Sequence, residues 1–182
     1  MLDVGGGPGV DGEFLRLHSG FAEVFVVNLH EHAFGVKGTS AKFVKADGCA
    51  LPFATNSFDW VFSNAVIEHV GDVARQKRFA DEIRRVAARG YFVATPNKYF
   101  PIEPHTLLPF YQFMPLAAQR HVVRISPGYM REPYEINLLS GRDLRSLFPE
   151  AQVCKIGFSL LPSSLVAVYK NASQGNDGIE GT

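Results

Sequence analysis

The sequence has few of the residues that stabilise small secreted or zinc-bound domains. Only two of its 182 residues are cysteines, Cys49 and Cys154. They lie far apart, which fits neither a disulfide framework nor the spacing of zinc ligands. We therefore expect a reducing, cytoplasmic environment, no disulfide and no metal site.

An excess of charge of either sign is also missing, as are long apolar runs. Lysine and arginine number 18, as do aspartate and glutamate, so the formal net charge is zero. A long nucleic-acid footprint needs a basic surface, and we expect no nucleic-acid partner. No stretch reaches the length of a membrane-spanning helix, and the first residues do not form a signal peptide. The length and composition suit one globular domain with a sizeable core.

Short apolar segments alternate with helical patterns along most of the chain. Strands are predicted at residues 2–5, 24–27, 42–46, 58–63, 91–95, 151–158 and 164–170. Helices are predicted at 11–19, at 72–89 with Gly90 as the stop, and at 141–148 with Ser140 as the N-cap. This alternation is typical of a parallel α/β sheet with helices on both faces. Ligands of such sheets bind at the carboxyl ends of the strands, where we expect these loops to converge: 5–9, 28–30, 47–49 and 63–69.

Two segments depart from the alternation. Residues 96–135 are rich in proline and aromatic residues, and we interpret them as an insertion over the sheet that is partly helical at 106–122. Residues 171–182 are rich in glycine, serine and asparagine without an apolar period, which predicts a disordered tail. The sequence thus predicts one domain over 1–170, with no internal repeat.

Residues 2–9, Leu-Asp-Val-Gly-Gly-Gly-Pro-Gly, form the most informative stretch. A strand runs directly into a turn without side chains, where backbone N–H groups can approach a ligand closely. A turn of this kind between the first strand and a helix indicates a nucleotide-type site. The overlapping Gly-x-Gly-x-x-Gly at 7–12 also satisfies the dinucleotide fingerprint, so an NAD-binding Rossmann domain is one alternative.

The stretch resembles the first motif of class I S-adenosylmethionine-dependent methyltransferases, an acidic residue followed by Gly-x-Gly-x-Gly. Later segments resemble the small-molecule subgroup of this family in order and spacing: Ala-Asp-Gly-Cys-Ala-Leu-Pro-Phe at 46–53, Asn-Ser-Phe-Asp-Trp-Val at 56–61, Val-Ile-Glu-His-Val at 66–70, and 79–86. The resemblance covers residues 2–98. It implies a Rossmann-like, mostly parallel, doubly wound sheet of seven strands with an antiparallel last strand. It also implies that helices which usually cover the cofactor are missing before the first strand.

The resemblance implies S-adenosyl-L-methionine as cofactor and assigns its contacts. The glycines of the turn would wrap around its ribose and methionine parts, with an acidic residue below: Gly5, Gly7, Gly9 and Asp3. The loop after the third strand would hold the adenine, through Asp47 and the backbone of Gly48 and Cys49. Asn64, with Ala65, would lie beside the methionine part. From the residues alone, Asp3 is equally a turn-stabilising acceptor and Asp47 a strand-end cap.

One position departs from the family pattern. The family usually carries aspartate or glutamate at the end of the second strand, bidentate to the ribose hydroxyls, whereas this sequence has Asn28. An amide can accept from one hydroxyl and donate to another, but without charge assistance. A non-catalytic cofactor-binding or scaffold member of the fold is therefore a second alternative.

The reaction implied is transfer of a methyl group by in-line displacement to a small-molecule acceptor, which includes lipid- or sugar-linked ones. A general base is needed only for a weakly acidic acceptor. The candidates are His69 and His105, with Tyr99, Glu103 and Tyr134 ranked lower. The insertion is expected to form an acceptor-site lid, whose apolar lining would come from residues 110–116. Its basic residues are candidates for binding an anionic group: Arg120, His121, Arg124 and Arg131.

Overall fold

The computed structural model describes most of the chain, in five ranges: 1–6, 18–30, 41–128, 136–157 and 160–172. The predicted helix at 11–19 lies largely outside these ranges, and so does most of the predicted tail. Among the described helices, none combines the length and the apolar character needed to cross a bilayer.

A sheet of seven strands forms the centre of the molecule. The strands are β1 (Leu2–Val4), β2 (Phe25–Asn28), β3 (Lys42–Lys45), β4 (Phe58–Asn64), β5 (Ala87–Pro96), β6 (Gln152–Gly157) and β7 (Pro162–Lys170). Their spatial order is β3-β2-β1-β4-β5-β7-β6. Neighbours from β3 to β5 are parallel, whereas β7 is antiparallel to both β5 and β6. The predicted Rossmann-like sheet with an antiparallel last strand is confirmed.

Helix α1 (Val73–Val86) covers one face of the sheet and supplies the main core contacts. Its apolar positions follow helical spacing, so Phe79, Ile83 and Val86 point to the same side and are fully buried. They pack with Leu2 and Val4 in one apolar cluster. The side chain of Asp72 caps the helix by accepting a hydrogen bond from the backbone N–H of Arg75 at 2.8 Å. The central strands and α1 therefore hold the ends of β1 and β4 firmly in place.

The predicted end of this helix is wrong. The helix ends at Val86, and the chain passes directly into β5 at Ala87, so Gly90 lies inside a strand. A Cβ at Gly90 would lie 2.6 Å from the ring of Trp60 and 2.3 Å from the carbonyl oxygen of Tyr169. Glycine is required here for close packing between neighbouring strands rather than for a helix stop.

The region after β5 contains less helix than predicted. Of residues 106–122, only Tyr111–Phe113, a 3₁₀ turn, and α2 (Leu116–Val122) are helical, followed by a second 3₁₀ turn at Val123–Ile125. Helix α3 (Gly141–Leu147) begins as predicted after Ser140. The Ser140 hydroxyl and the Asp143 carboxylate cap each other's backbone N–H groups at 3.3 and 2.8 Å, which forms a capping box.

The Leu-Pro-Phe loop after β3 is fixed to α1 by a partly buried ion pair of the helix, Glu82 and Arg85. Glu82 accepts the backbone N–H of Leu51 at 2.6 Å, while Arg85 donates to the carbonyl oxygens of Phe53 and Leu51 at 2.7 and 3.1 Å. Glu82 and Arg85 also pair with each other at 2.7 Å. The loop that starts at Asp47 is thus held against the helix at its far end.

Candidate active site

The turn after β1 has no room for side chains at its first two residues. Gly5 has a φ of +83°, and a Cβ there would lie 2.3 Å from Cγ2 of Val66. A Cβ at Gly6 would lie 2.7 Å from Oδ2 of Asp3. Two other predicted residues of the turn lie outside the described residues: Gly7 and Gly9. The turn is therefore tightly enclosed by β1 and by the segment that follows β4.

One polar side chain, Asn28, is hydrogen-bonded to this turn, and a second, Asp3, lies close to Gly6. Asp3 is 5% exposed, and its Oδ2 lies 2.9 Å from Nε2 of His18. The Asn28 side chain donates its amide to the carbonyl oxygen of Gly6 at 3.1 Å and accepts the backbone N–H of His30 at 3.2 Å. In this structure the Asn28 amide thus stabilises the glycine turn, a role that the sequence analysis did not assign to it. His18 was missed altogether, because its partner lies fifteen positions earlier.

The loop after β3 presents a carboxylate. Oδ1 of Asp47 accepts the backbone N–H of Cys49 at 2.9 Å, and Oδ2 accepts a hydrogen bond from Arg75 at 2.8 Å. Partial burial by itself raises the pKa of Asp47, but the Cys49 N–H and the Arg75 guanidinium outweigh it and hold the pKa below its usual value. The Asp47 side chain remains 35% exposed. It is therefore both a strand-end cap and an accessible, ionised acceptor.

The next two residues of this loop pack onto α1. A Cβ at Gly48 would lie 2.6 Å from the Phe79 ring and 3.1 Å from Val4, so only glycine fits. The Cys49 thiol is buried and donates to the carbonyl oxygen of Arg75 at 3.4 Å. Burial and the neighbouring Asp47 carboxylate raise the pKa of Cys49 to about 11. The loop backbone consequently follows the surface of the helix closely.

The burial of Cys49 predicts that the two cysteines differ in their reactivity towards thiol reagents. With a pKa of about 11 and a buried sulfur, Cys49 should stay unreactive towards Ellman's reagent at pH 8, because the thiolate is the reacting form. Cys154 is only partly buried, so the native protein should release one equivalent of chromophore and the urea-unfolded protein two. A Cys154→Ser variant should therefore show no fast reaction. Rapid reaction of that variant at pH 8 would contradict the buried, protonated state of Cys49.

The segment after β4 lies beside the glycine turn. Asn64 is exposed at the end of the strand, and Ala65 adopts a φ of +54°. The backbone N–H of Ala65 donates to the carbonyl oxygen of Ala94 at 3.0 Å, which offsets part of the cost of this conformation. Because Val66 touches Gly5, this segment adjoins the glycine turn at the same edge of the sheet.

The two candidate histidines, 36 positions apart in sequence, are in contact. Nε2 of His69 lies 3.1 Å from Nε2 of His105. Nδ1 of His105 is hydrogen-bonded to Oε1 of Glu103, whose Oε2 accepts the backbone N–H of Thr106 at 2.7 Å. Burial, with a smaller contribution from His105, lowers the pKa of His69 to about 4. His69 is therefore a neutral imidazole near pH 7, and Glu103 fixes the orientation of His105.

A buried glutamate, which the sequence analysis did not single out, completes this group. Glu68 is fully buried, and its Oε2 accepts a hydrogen bond from the Thr95 hydroxyl at 2.9 Å. Its Oε1 lies 3.9 Å from Nε2 of His69 and has no hydrogen-bond partner among the described residues. Burial raises the pKa of Glu68. Adjacency to His69 in the Val-Ile-Glu-His-Val segment is the one sequence signal for its position.

A cavity of about 860 Å³ lies between the insertion and α3. Its lining includes Glu103, Tyr111, Leu116 and two basic residues, Lys98 and Arg120. Three other residues predicted to face the acceptor are largely exposed: Phe110, Phe113 and Tyr99. Two more, Tyr134 and Arg131, lie outside the described residues. The insertion thus lines an open cavity with apolar residues and charges of both signs, since Asp143 also belongs to the lining, and only part of the predicted lining takes part.

Comparisons with known proteins agree with this architecture. A family model described as "Methyltransferase domain" matches residues 2–94, just over half of the chain. An uncharacterised methyltransferase of Mycolicibacterium gilvum (strain PYR-GCK) is 38% identical over 93 residues, which cover 50% of this chain and 35% of that protein. The chain spans about a third of the length of the curated relatives that it matches.

Solved structures share the fold at low sequence identity. A protein from Pyrococcus horikoshii OT3 superposes with a TM-score of 0.65 at 16% identity, covering 93% of this chain and 80% of that chain. Magnesium protoporphyrin IX methyltransferase from Synechocystis PCC 6803, solved with bound SAH, gives a TM-score of 0.59 at 15% identity, covering 92% and 71%. At these identities the likeness shows the fold.

Proposed function

The chain belongs to the methyltransferase domain family of the class I fold, and from this premise we propose that it transfers a methyl group from S-adenosylmethionine to a small-molecule acceptor. The observation that carries the proposal is a close-packed glycine turn, in which a Cβ would clash with Val66 or Asp3, at the edge of the sheet where Asp47 offers an accessible carboxylate. The Synechocystis relative in fold was solved with SAH, the product form of this cofactor, which supports the same ligand here.

The proposed contacts follow the loops at this edge. The turn residues Gly5, Gly7 and Gly9 and the buried Asp3 surround the methionine and ribose parts, and Asn64 lies beside the methionine part. Asp47 accepts the adenine amino group, flanked by the backbone of Gly48 and Cys49. Asn28 holds the turn with its amide nitrogen. Its oxygen, which accepts the His30 N–H, retains one lone pair for a ribose hydroxyl but lacks the charge of a carboxylate. We assign the domain to residues 1–170 on the same grounds.

The cofactor supplies an activated sulfonium methyl group, so the protein's main task is to align the acceptor and to exclude water. The cavity between the insertion and α3 has the size of small-molecule pockets. Lys98 and Arg120 in its lining are balanced by Glu103 and Asp143, so the cavity suits an acceptor with polar groups, and Tyr111 adds an aromatic surface. We place His69 and His105 on the acceptor side, because they follow β4 and β5 at the carboxyl edge.

Calorimetry with S-adenosylmethionine tests the proposal directly. We expect binding of one molecule per chain, and we expect Asp47→Ala to weaken it by about 1–3 kcal/mol, because an adenine donor then loses its acceptor. Asp59→Ala is the matched control: its side chain is 68% exposed and lies at the opposite end of β4. Unchanged affinity of Asp47→Ala would remove Asp47 from the adenine site.

Parallel titration with NAD addresses the dinucleotide alternative. Heat with NAD and none with S-adenosylmethionine, in folded protein, would overturn the proposed cofactor. The non-catalytic alternative would be favoured if S-adenosylmethionine binds but no S-adenosylhomocysteine forms with phenolic, carboxylate or amine acceptors. The main support for that alternative is Asn28 at the end of β2.

A further inference from the structure

We propose that Glu68, His69 and His105 form a binding site for one divalent transition-metal ion of the zinc type. No metal site was expected from the sequence, because Cys49 and Cys154 do not have the spacing of zinc ligands. The fold brings the ligands together from the segments that follow β4 and β5, 36 positions apart. The metal ion would lie on the acceptor side of the proposed methyltransferase site. Its binding is independent of the proposed function, and only its chemical role rests on that function.

The donor atoms already stand close to metal-binding geometry. The two imidazole Nε2 atoms are 3.1 Å apart, Glu68 Oε1 is 3.9 Å from Nε2 of His69, and all three donors lie within 4.8 Å of one another. Zinc–ligand bonds of about 2.0–2.2 Å place neighbouring ligand atoms about 3.3–3.6 Å apart in a tetrahedron. Side-chain shifts of less than about 1 Å are therefore enough to bring the donors into place.

One oxygen of the Glu68 carboxylate is available to bind a cation. One of its oxygens is bound by Thr95 at 2.9 Å, while Oε1, in a fully buried side chain, has no hydrogen-bond partner among the described residues. An unsatisfied polar atom in the interior is costly, and native structures usually satisfy it with a side chain, a water molecule or an ion. Since Oε1 faces the histidine pair, a cation there would be bound by all three side chains.

Glu103 acts as the outer partner that metal-bound histidines usually have. Its carboxylate binds Nδ1 of His105 and is itself held by the backbone N–H of Thr106 at 2.7 Å. This hydrogen bond places the proton on Nδ1 and directs the lone pair of Nε2 towards His69. Once His69 gives up the proton that it shares with His105, both Nε2 atoms can bind one cation.

The ligand set indicates which ion binds and what it does. Two imidazoles and one carboxylate favour zinc and related transition metals over magnesium or calcium, which prefer oxygen ligands. Three protein ligands leave a fourth position open, as in catalytic zinc sites, and the side chain of His69 is 26% exposed. A hydroxyl or phenol oxygen of the acceptor bound there would lose its proton to solvent more readily. Its bond to the methyl carbon would then form as the carbon–sulfur bond of the cofactor breaks and S-adenosylhomocysteine leaves. The acceptor class is thus an oxygen nucleophile.

Zinc titration of the chelator-treated protein tests the site without any reaction. Calorimetry should give about one zinc ion per chain, and cobalt should give the visible absorption of a four-coordinate site. His105→Ala should lower zinc affinity by at least about 100-fold, and Glu103→Gln by about 10- to 100-fold, as expected for loss of a ligand and of its outer partner. Glu68→Gln should also weaken binding. The control is His121→Ala, because His121 is an exposed histidine on α2.

Circular dichroism of each variant separates loss of ligand from loss of fold, and Glu68→Gln keeps the side-chain volume for this purpose. Absence of stoichiometric zinc binding, or equal affinity of wild type, Glu68→Gln and His105→Ala, would overturn the proposal. S-adenosylmethionine is titrated into the same samples. Zinc binding without cofactor binding would then count against the proposed function alone, and the reverse result against the metal site alone.

Discussion

Replacing Gly5 with alanine is expected to destabilise the folded chain by about 2–4 kcal/mol and to abolish measurable S-adenosylmethionine binding. The added Cβ meets Val66 at 2.3 Å, and a φ of +83° is strained for any residue with a side chain. Relief of the clash would move the turn away from the segment after β4, which is the geometry proposed to hold the cofactor. Urea unfolding and calorimetry measure the two effects separately.

A double variant separates the clash from the backbone strain. Gly5→Ala with Val66→Ala should recover part of the lost stability, because the contact is removed while the strain remains. Gly141→Ala is the control, since the nearest neighbour of a Cβ there is 3.8 Å away and the position lies in the first turn of α3. Wild-type stability and cofactor affinity of Gly5→Ala would show that the turn is not tightly enclosed.

Replacing Phe79 with alanine is expected to cost about 3–5 kcal/mol, the usual range for removing a fully buried aromatic ring. The ring also supports the loop after β3, because a Cβ at Gly48 would lie 2.6 Å from it. The cavity should therefore loosen Asp47 and Cys49 and weaken S-adenosylmethionine binding as well as stability. Urea unfolding gives the first effect, and calorimetry at a temperature where the variant is folded gives the second.

The same helix provides the control. Val73 is 75% exposed, so Val73→Ala should change stability by no more than about 0.5 kcal/mol. A loss below about 1.5 kcal/mol for Phe79→Ala would mean that the helix settles into the vacated space, and that Phe79 does not define the position of the loop.

The order and type of the strands were predictable because each strand is a short apolar segment between polar or glycine-containing loops. The end of α1 was not, since Ala87, Ala88 and Arg89 favour helix and continue the helical pattern into what becomes β5. Gly90 is needed inside β5 because Trp60 and the Tyr169 carbonyl oxygen lie close to it. Both are contacts between strands, and a local pattern does not contain them.

The candidate site also has a part that the sequence predicts and a part that depends on contacts in the fold. The glycine turn and Asp47 were recognisable because their residue types are needed locally, by a turn or at the end of a strand. The partners that set their chemistry were not: His18 beside Asp3, Arg75 beside Asp47, and the contact between His69 and His105. Each joins residues at least fifteen positions apart, so it depends on the finished fold rather than on spacing along the chain.

The position of β7 also has a consequence for biosynthesis. β7 lies between β5 and β6, although both precede it in the chain, and it pairs with β5 from Gly90 to Pro96. During translation, β6 therefore emerges from the ribosome before the strand that joins it to the sheet. Until residues 162–170 have been made, β5 exposes an unpaired edge, which is the kind of surface that invites aggregation or chaperone binding.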